Sequence, residues 1–291
     1  MNRFLDMAMT IMRKLIINAD DLGMSAEVNG QIEECIRLGC ITSSTLMANA
    51  PAFDEGVRIA KQYSQISVGV HLNLIEFKPL TNSDIFKKHG VVGEDGCFIE
   101  GAIGCATIGD ELKQAVFEEW DAQITKVEQT GLVPSHCDSH EHTHTIRALK
   151  DVLCQVLDKH SIKHVRRTII PSIRLMLQAR KQPQEVKLDK SRAVQRKKRN
   201  VLYRRLHLFA VKYSAFKWNR AMAGQYSMTN AFYSFRDFYR NRDLLCLGGK
   251  SSVIELMCHP GNKPFQSETE HLMYDKSWLT EEYELISYNQ L

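Results

Sequence analysis

The chain has 291 residues, 44% of them hydrophobic, and a net charge of +4, enough apolar material for a large buried core. A charged fraction of 25% with 16 Gly and 7 Pro excludes a disordered or fibrous polypeptide. No apolar run reaches the roughly 18 residues that cross a bilayer. Residues 1–12 lack the features of a signal peptide and read as a loose tail before a single domain over 13–291.

The predicted elements begin with Lys14–Ala19, a short apolar run read as a buried parallel strand ending at Asp20. Val28, Ile32, Cys35 and Ile36 then share a helical face, with Ser25 as N-cap and Gly39 as stop. Thr42–Ala48 reads as a strand, Pro51–Tyr63 as a helix, and Ile66–Val70 as a strand ending at His71. Loops are expected over 76–109. Leu112, Val116, Trp120, Ile124 and Val127 mark an amphipathic helix closed by Gly131. Val133–Cys137 is predicted to be a strand entering Asp138, Ile146–Leu157 a helix, and Lys163–Ile170 a strand.

A basic insertion follows near 171–220. From Lys159 to Arg220 there are 19 Lys/Arg against Glu185 and Asp189, so the rest of the chain holds 19 basic and 32 acidic residues. Ser252–Cys258 is the last predicted strand and ends at His259. Strand and helix alternate throughout, the pattern of an α/β fold on parallel strands. The eight cysteines include no C-x-x-C pair, so no zinc knuckle is indicated; reduced thiols point to the cytoplasm.

Asp20-Asp21, His71, the cluster from Asp138 to His144, and His259 each follow an apolar strand-like run. In parallel α/β folds the carboxyl ends of the strands converge where sites are built, so these four groups are expected to meet. Alternation sends consecutive side chains in different directions. One acid of the pair is therefore expected to bind a metal while the other faces a substrate. His136-Cys-Asp-Ser-His-Glu-His-Thr-His144 packs four imidazoles and two carboxylates into nine residues, which suits a cation that keeps the rings neutral. His140, His142 and His144 cannot all ligate unless the backbone turns, and one at the strand end suffices.

Four motifs together carry a resemblance: Asn18-Ala-Asp-Asp-Leu-Gly23, Gly69-Val-His-Leu-Asn-Leu74, Asp138-Ser-His-Glu-His-Thr-His144 and Glu255-Leu-Met-Cys-His-Pro-Gly261. In this order and spacing the chain resembles the YdjC-like carbohydrate deacetylases over roughly Lys14–Gly261, excluding the basic insertion. The resemblance implies a single distorted (β/α) barrel with its active site at the C-terminal ends of the strands. It implies one divalent metal ion, Mg2+ with Zn2+ as the alternative, held by Asp21, His71 and His140. Asp20 is then the proton acceptor, His259 the general acid, and Arg166 a substrate contact; Asp138 is read as orienting a ligand imidazole. The implied substrate is an N-acetylated sugar. The chain departs from the family where Ile75-Glu-Phe77 stands in place of Thr-Glu-Gly, and Leu22 in place of Phe.

Two other readings compete. A metal-dependent phosphoesterase needs two metals and more carboxylates. A nucleic-acid or anionic-membrane binder would use the basic segment 159–220. No nucleic acid and no transmembrane segment are expected; peripheral membrane contact through the basic segment and a homo-oligomeric state are.

Overall fold

Alternation along β1 (Arg13–Leu22) divides the chain's first apolar run between two surroundings. Leu15, Ile17 and Ala19 join the main hydrophobic cluster, while Ile16 packs with Ile286 and Tyr288 in a second, smaller one. Asn18 and Asp20, on the same side of the strand as Ile16, meet the polar groups of Thr45, His136 and Arg166. The computed structural model describes residues 12–168, 213–241, 249, 251–274 and 277–291.

β1 pairs in parallel with β2 (Ser43–Leu46) on one side and β6 (Val253–Cys258) on the other. β3 (Ser67–Leu72) and β4 (Cys137–Ser139) extend one flank, and β5 (Ala231–Ser234) lies beyond β6, giving the order β4-β3-β2-β1-β6-β5. β7 (Tyr283–Leu285) pairs with the first residues of β1. Past β4 the sheet curls round: Cys137 bridges Val165, and His164 bridges Ser227, four residues before β5. The ring is thus joined by single bridges, and the architecture is the expected distorted α/β barrel.

Helices α1 (Ala26–Arg37), α2 (Phe53–Gln62), α5 (Asp110–Gln129) and α6 (Lys150–Lys159) bury their apolar stripes on the outside of the sheet. Ser25 caps α1, accepting from Val28 N. The expected loop region holds two short helices, α3 (Asp84–Lys88) and α4 (Ala102–Cys105). Glu119 and Gln123 of α5 clip its start. Glu119 accepts from Leu80 N, Thr81 N and Thr81 Oγ1, and Gln123 bonds both backbone groups of Asn73.

Three expectations are corrected. β1 runs on through Asp20-Asp21 to Leu22. Val133 is 89% exposed, and the strand predicted over Val133–Cys137 forms only at Cys137–Ser139. Around Lys163, expected to open a strand to Ile170, residues 163–168 make isolated bridges, and residues 169–170 lie outside those described. Pro134, with no N–H to donate, precedes Ser135, and Arg166 turns inward to buried carboxylates, so each segment pairs over only a short stretch.

Small and polar residues line the interior: Asn18, Ser43, Thr45, Ser67, Gly69, His71, His136, Asp138 and Glu255. Gly69 shows why. A Cβ there would stand 2.6 Å from both the ring and the carbonyl oxygen of His136. Gly69→Ala is therefore expected to cost about 1–3 kcal/mol by overpacking, read as a lower urea midpoint. An unchanged midpoint would show that the ring has room to retreat.

Candidate metal centre

Between Ala19 and Leu22 the pairing of β1 with β2 slips, and Asp21 takes a left-handed φ of 70°. Such a bulge re-aims side chains. Simple alternation was expected to separate the two acids; instead both carboxylates reach the cluster around His71. Asp21 Oδ1 lies 3.2 Å from His71 Nε2 and 2.9 Å from His140 Nδ1. His140 opens a turn in which Glu141 and His142 have φ of 49° and 58°. That reversal separates the three imidazoles. His140 faces Asp21, and His142 packs edge-on against Phe232. His144 accepts at Nδ1 from Ser139 Oγ and donates from Nε2 to the carbonyl of Arg166.

Asp21, His71 and His140 place one donor atom each within 4.8 Å of one another. Around a cation at about 2.0–2.2 Å, tetrahedral donors stand roughly 3–3.5 Å apart, so the observed spacing fits with little movement. Two further features fit. Asp21 Oδ2 is buried and has no hydrogen-bond partner. His71 Nδ1 donates to Asp138 Oδ1 at 2.6 Å, which turns the Nε2 lone pair toward Asp21. Burial opposes charge on these groups, yet Asp138 and Asp21 outweigh it and carry His71 to about 10. Burial likewise opposes ionisation of Asp21, but His140 and His71 hold its carboxyl well below the usual range. A site that binds a proton this firmly also suits a cation in the same position.

Asp20, His71 and Asp138 form a second close group. Arg166 already fills it. Fully buried, its guanidinium grips both oxygens of Asp20 at 2.7 Å, Asp138 Oδ2 at 2.6 Å and Glu255 Oε1 at 2.6 Å. Burial works against Asp20, but Arg166 outweighs it and keeps the carboxyl far below its usual value. A second metal would have to displace this guanidinium, which counts against a two-metal phosphoesterase. Expected as a substrate contact, Arg166 offers no exposed surface and acts as the counter-ion of the carboxylates.

His259, at the end of β6, stacks on Phe265 at 4.4 Å and points Nε2 at Asp20 Oδ2 from 4.0 Å. Its backbone N–H donates to the buried Glu268, whose Oε1 is 3.7 Å from Nδ1. Burial disfavours the imidazolium, but Glu268 and Asp20 prevail and raise its pKa. Sequence reasoning missed Thr45, Glu255, Glu268 and Tyr288. Thr45 Oγ1 bonds Asp138 and sits 3.2 Å from His71 Nδ1. Tyr288 donates to Glu255 Oε2 at 2.6 Å from the last residues of the chain. Of these, Glu255 lies in the run Ser252–Cys258, which reads as an ordinary buried strand.

His136 and His144 are buried and neutral, their pKa values pressed well below 6.5 by burial first and then by neighbouring cations. Below pH 6.5 the unfolded chain takes up protons that these rings refuse, so stability falls as pH falls. Each ring contributes up to about 1.4 kcal/mol per pH unit. His71 has the opposite sign: its stabilisation is complete below 6.5 and is lost as pH rises toward 10. Metal-free protein is expected to be most resistant to urea near pH 6.5, with added metal flattening the alkaline limb. A monotonic profile would contradict these assignments.

The geometry defines a class: a distorted α/β barrel with an Asp-His-His group that could hold a cation, beside an Arg-clamped carboxylate. The chain belongs to the YdjC-like protein family, whose profile matches residues 14–290. It is similar to carbohydrate deacetylases of Halalkalibacterium halodurans (31% identical over 51% of this chain and 62% of the relative) and Geobacillus stearothermophilus (35% over 52% and 58%). The carbohydrate deacetylase of Danio rerio is 32% identical over 55% of this chain and 51% of its own. The match thus spans between half and two thirds of these relatives' lengths. A proposed cellobiose-phosphate cleavage protein of Enterococcus faecalis shares the fold, with TM-score 0.67 and 21% identity over 96% of this chain and 98% of that one.

Proposed function

We propose that this chain is a divalent-metal-dependent hydrolase that removes acetyl groups from N-acetylated sugars. The observation that carries the reading is Asp21, whose Oδ1 faces two imidazoles and whose Oδ2 is buried and unpartnered, beside a carboxylate whose charge Arg166 balances. The names of its relatives supply the substrate class.

Asp21, His71 and His140 would hold the cation, Mg2+ by the family resemblance, with Zn2+ as the alternative that two imidazoles also suit. Such an ion supplies Lewis acidity toward an acetamide carbonyl and toward water. The chain's own residues then handle the protons. Asp20 stays ionised and accepts the proton of the attacking water, its orientation fixed by Arg166 through both oxygens. His259, whose imidazolium Glu268 and Asp20 favour against burial, donates to the sugar nitrogen as the C–N bond breaks. Water adds across the amide, and acetate and a free amine leave.

Asp20→Asn separates these roles. The variant is expected to keep its metal and to lose about 100- to 10,000-fold in acetate release. Undiminished release from an N-acetylated sugar would remove Asp20 from the chemistry. Most of the basic segment lies in 169–212, outside the described residues. Among those described, no helix is long and apolar enough to cross a membrane.

A further inference from the structure

Phe77 combines two features that folding alone does not explain. Its backbone φ is 64°, a left-handed conformation that bulky side chains rarely adopt and glycine adopts freely. Its ring nevertheless joins no part of the core. It is half-buried, absent from both hydrophobic clusters, and stacked on no other ring among the described residues.

The surrounding hydrogen bonds force this conformation. Asn49 Nδ2 donates to the carbonyls of Glu76 and Lys78 at 3.2 and 3.1 Å, while Asn73 Nδ2 donates to Glu76 O at 2.7 Å and to Asn49 Oδ1 at 3.0 Å. Phe98 N donates to Phe77 O at 2.8 Å. Three successive carbonyls are therefore pinned, and Phe77 has no freedom to relax. Asn49 follows β2 and Asn73 follows β3, so the pinned loop stands over the carboxyl ends of these strands. Phe77 is six residues beyond His71.

Strain of this kind persists where the surroundings over-determine it and where it serves a ligand. We propose that Phe77 is a specificity-determining residue whose ring forms an apolar platform for the CH face of a pyranose. Such a platform selects a sugar over a small acyl amide, and it rests on the deacetylase reading above. Aromatic rings at ligand sites offer area and a fixed plane at little entropic loss.

The proposal gives stability and affinity opposite signs. In the metal-loaded full chain, Phe77→Gly removes the strain and the platform together. Its thermal midpoint is expected to stay the same or rise, while KM and Kd for N-acetylglucosamine and its short oligomers rise about tenfold with kcat unchanged. Phe77→Asn, which also tolerates the left-handed region, should behave alike. Phe77→Trp, which keeps an aromatic face, should retain wild-type KM and Kd. A fall in midpoint for both Gly and Asn variants would make Phe77 a packing residue and overturn the proposal. So would wild-type KM and Kd in Phe77→Gly, or a Trp variant as weak as Gly. Sugar binding by wild type without acetate release would sink the deacetylase reading and leave the platform standing. Absence of both binding and release would sink the two together.

Discussion

Arg166→Met is expected to collapse the cooperative unfolding transition at pH 7. One guanidinium faces Asp20, Asp138 and Glu255 in the barrel interior, all within 2.7 Å and none exposed to solvent. Breaking a buried pair by removing one partner costs about 3–5 kcal/mol, against roughly 5–15 kcal/mol for a whole domain. Here three carboxylates lose their partner at once. Burial already pushes Glu255 upward in pKa despite Arg166 and Tyr288, and without the guanidinium only the Tyr288 hydrogen bond restrains it. Acid should therefore restore part of the variant's stability, because protonated carboxyls no longer need a cation. Urea unfolding at pH 7 and pH 5 checks both statements. Arg166→Lys keeps the charge but cannot span both oxygens of Asp20 and reach Glu255. It is expected to fold and to lose most of its activity. A wild-type midpoint in Arg166→Met would contradict the electrostatic account of the interior.

Loss of the metal site is the second large effect. His71→Ala removes a ligand and also leaves Asp138 and Thr45 without the ring they hold. Metal affinity is expected to fall beyond measurement at micromolar protein, and acetate release with it. Asp138→Asn is the graded version. It spares all three ligands but loosens the orientation of His71, and variants of this kind lower metal affinity about 10- to 100-fold. Equal affinity in Asp138→Asn and wild type would mean that His71 is aligned by its backbone alone.

Much of this arrangement was legible in the sequence because it depends on local rules. The strands that carry Asp20-Asp21, His71 and His259 show their apolar runs plainly, and parallel strands must deliver those ends to one face. Those rules bring Asp20-Asp21, His71, the cluster from Asp138 to His144 and His259 to one face, and the family resemblance narrows the ligand set to Asp21, His71 and His140. What stayed hidden depends on backbone irregularity and long-range contact. The bulge that brings both acids inward rests on a left-handed Asp21, and nothing in Ala19-Asp-Asp-Leu22 marks it. Tyr288 enters the interior from the chain's end, 33 residues from the Glu255 it bonds. For Arg166 the resemblance implies a contact with the substrate. Only the three inward carboxylates show that it belongs inside.

Equilibrium dialysis of the purified, chelator-stripped chain against Mg2+ and Zn2+, beside Asp21→Asn, tests the cation site most directly. One ion per wild-type chain is expected, with proton release on binding and at least a hundredfold weaker uptake by the variant. Equal uptake by the two proteins, or none by either, would contradict the assignment of Asp21, His71 and His140 as ligands.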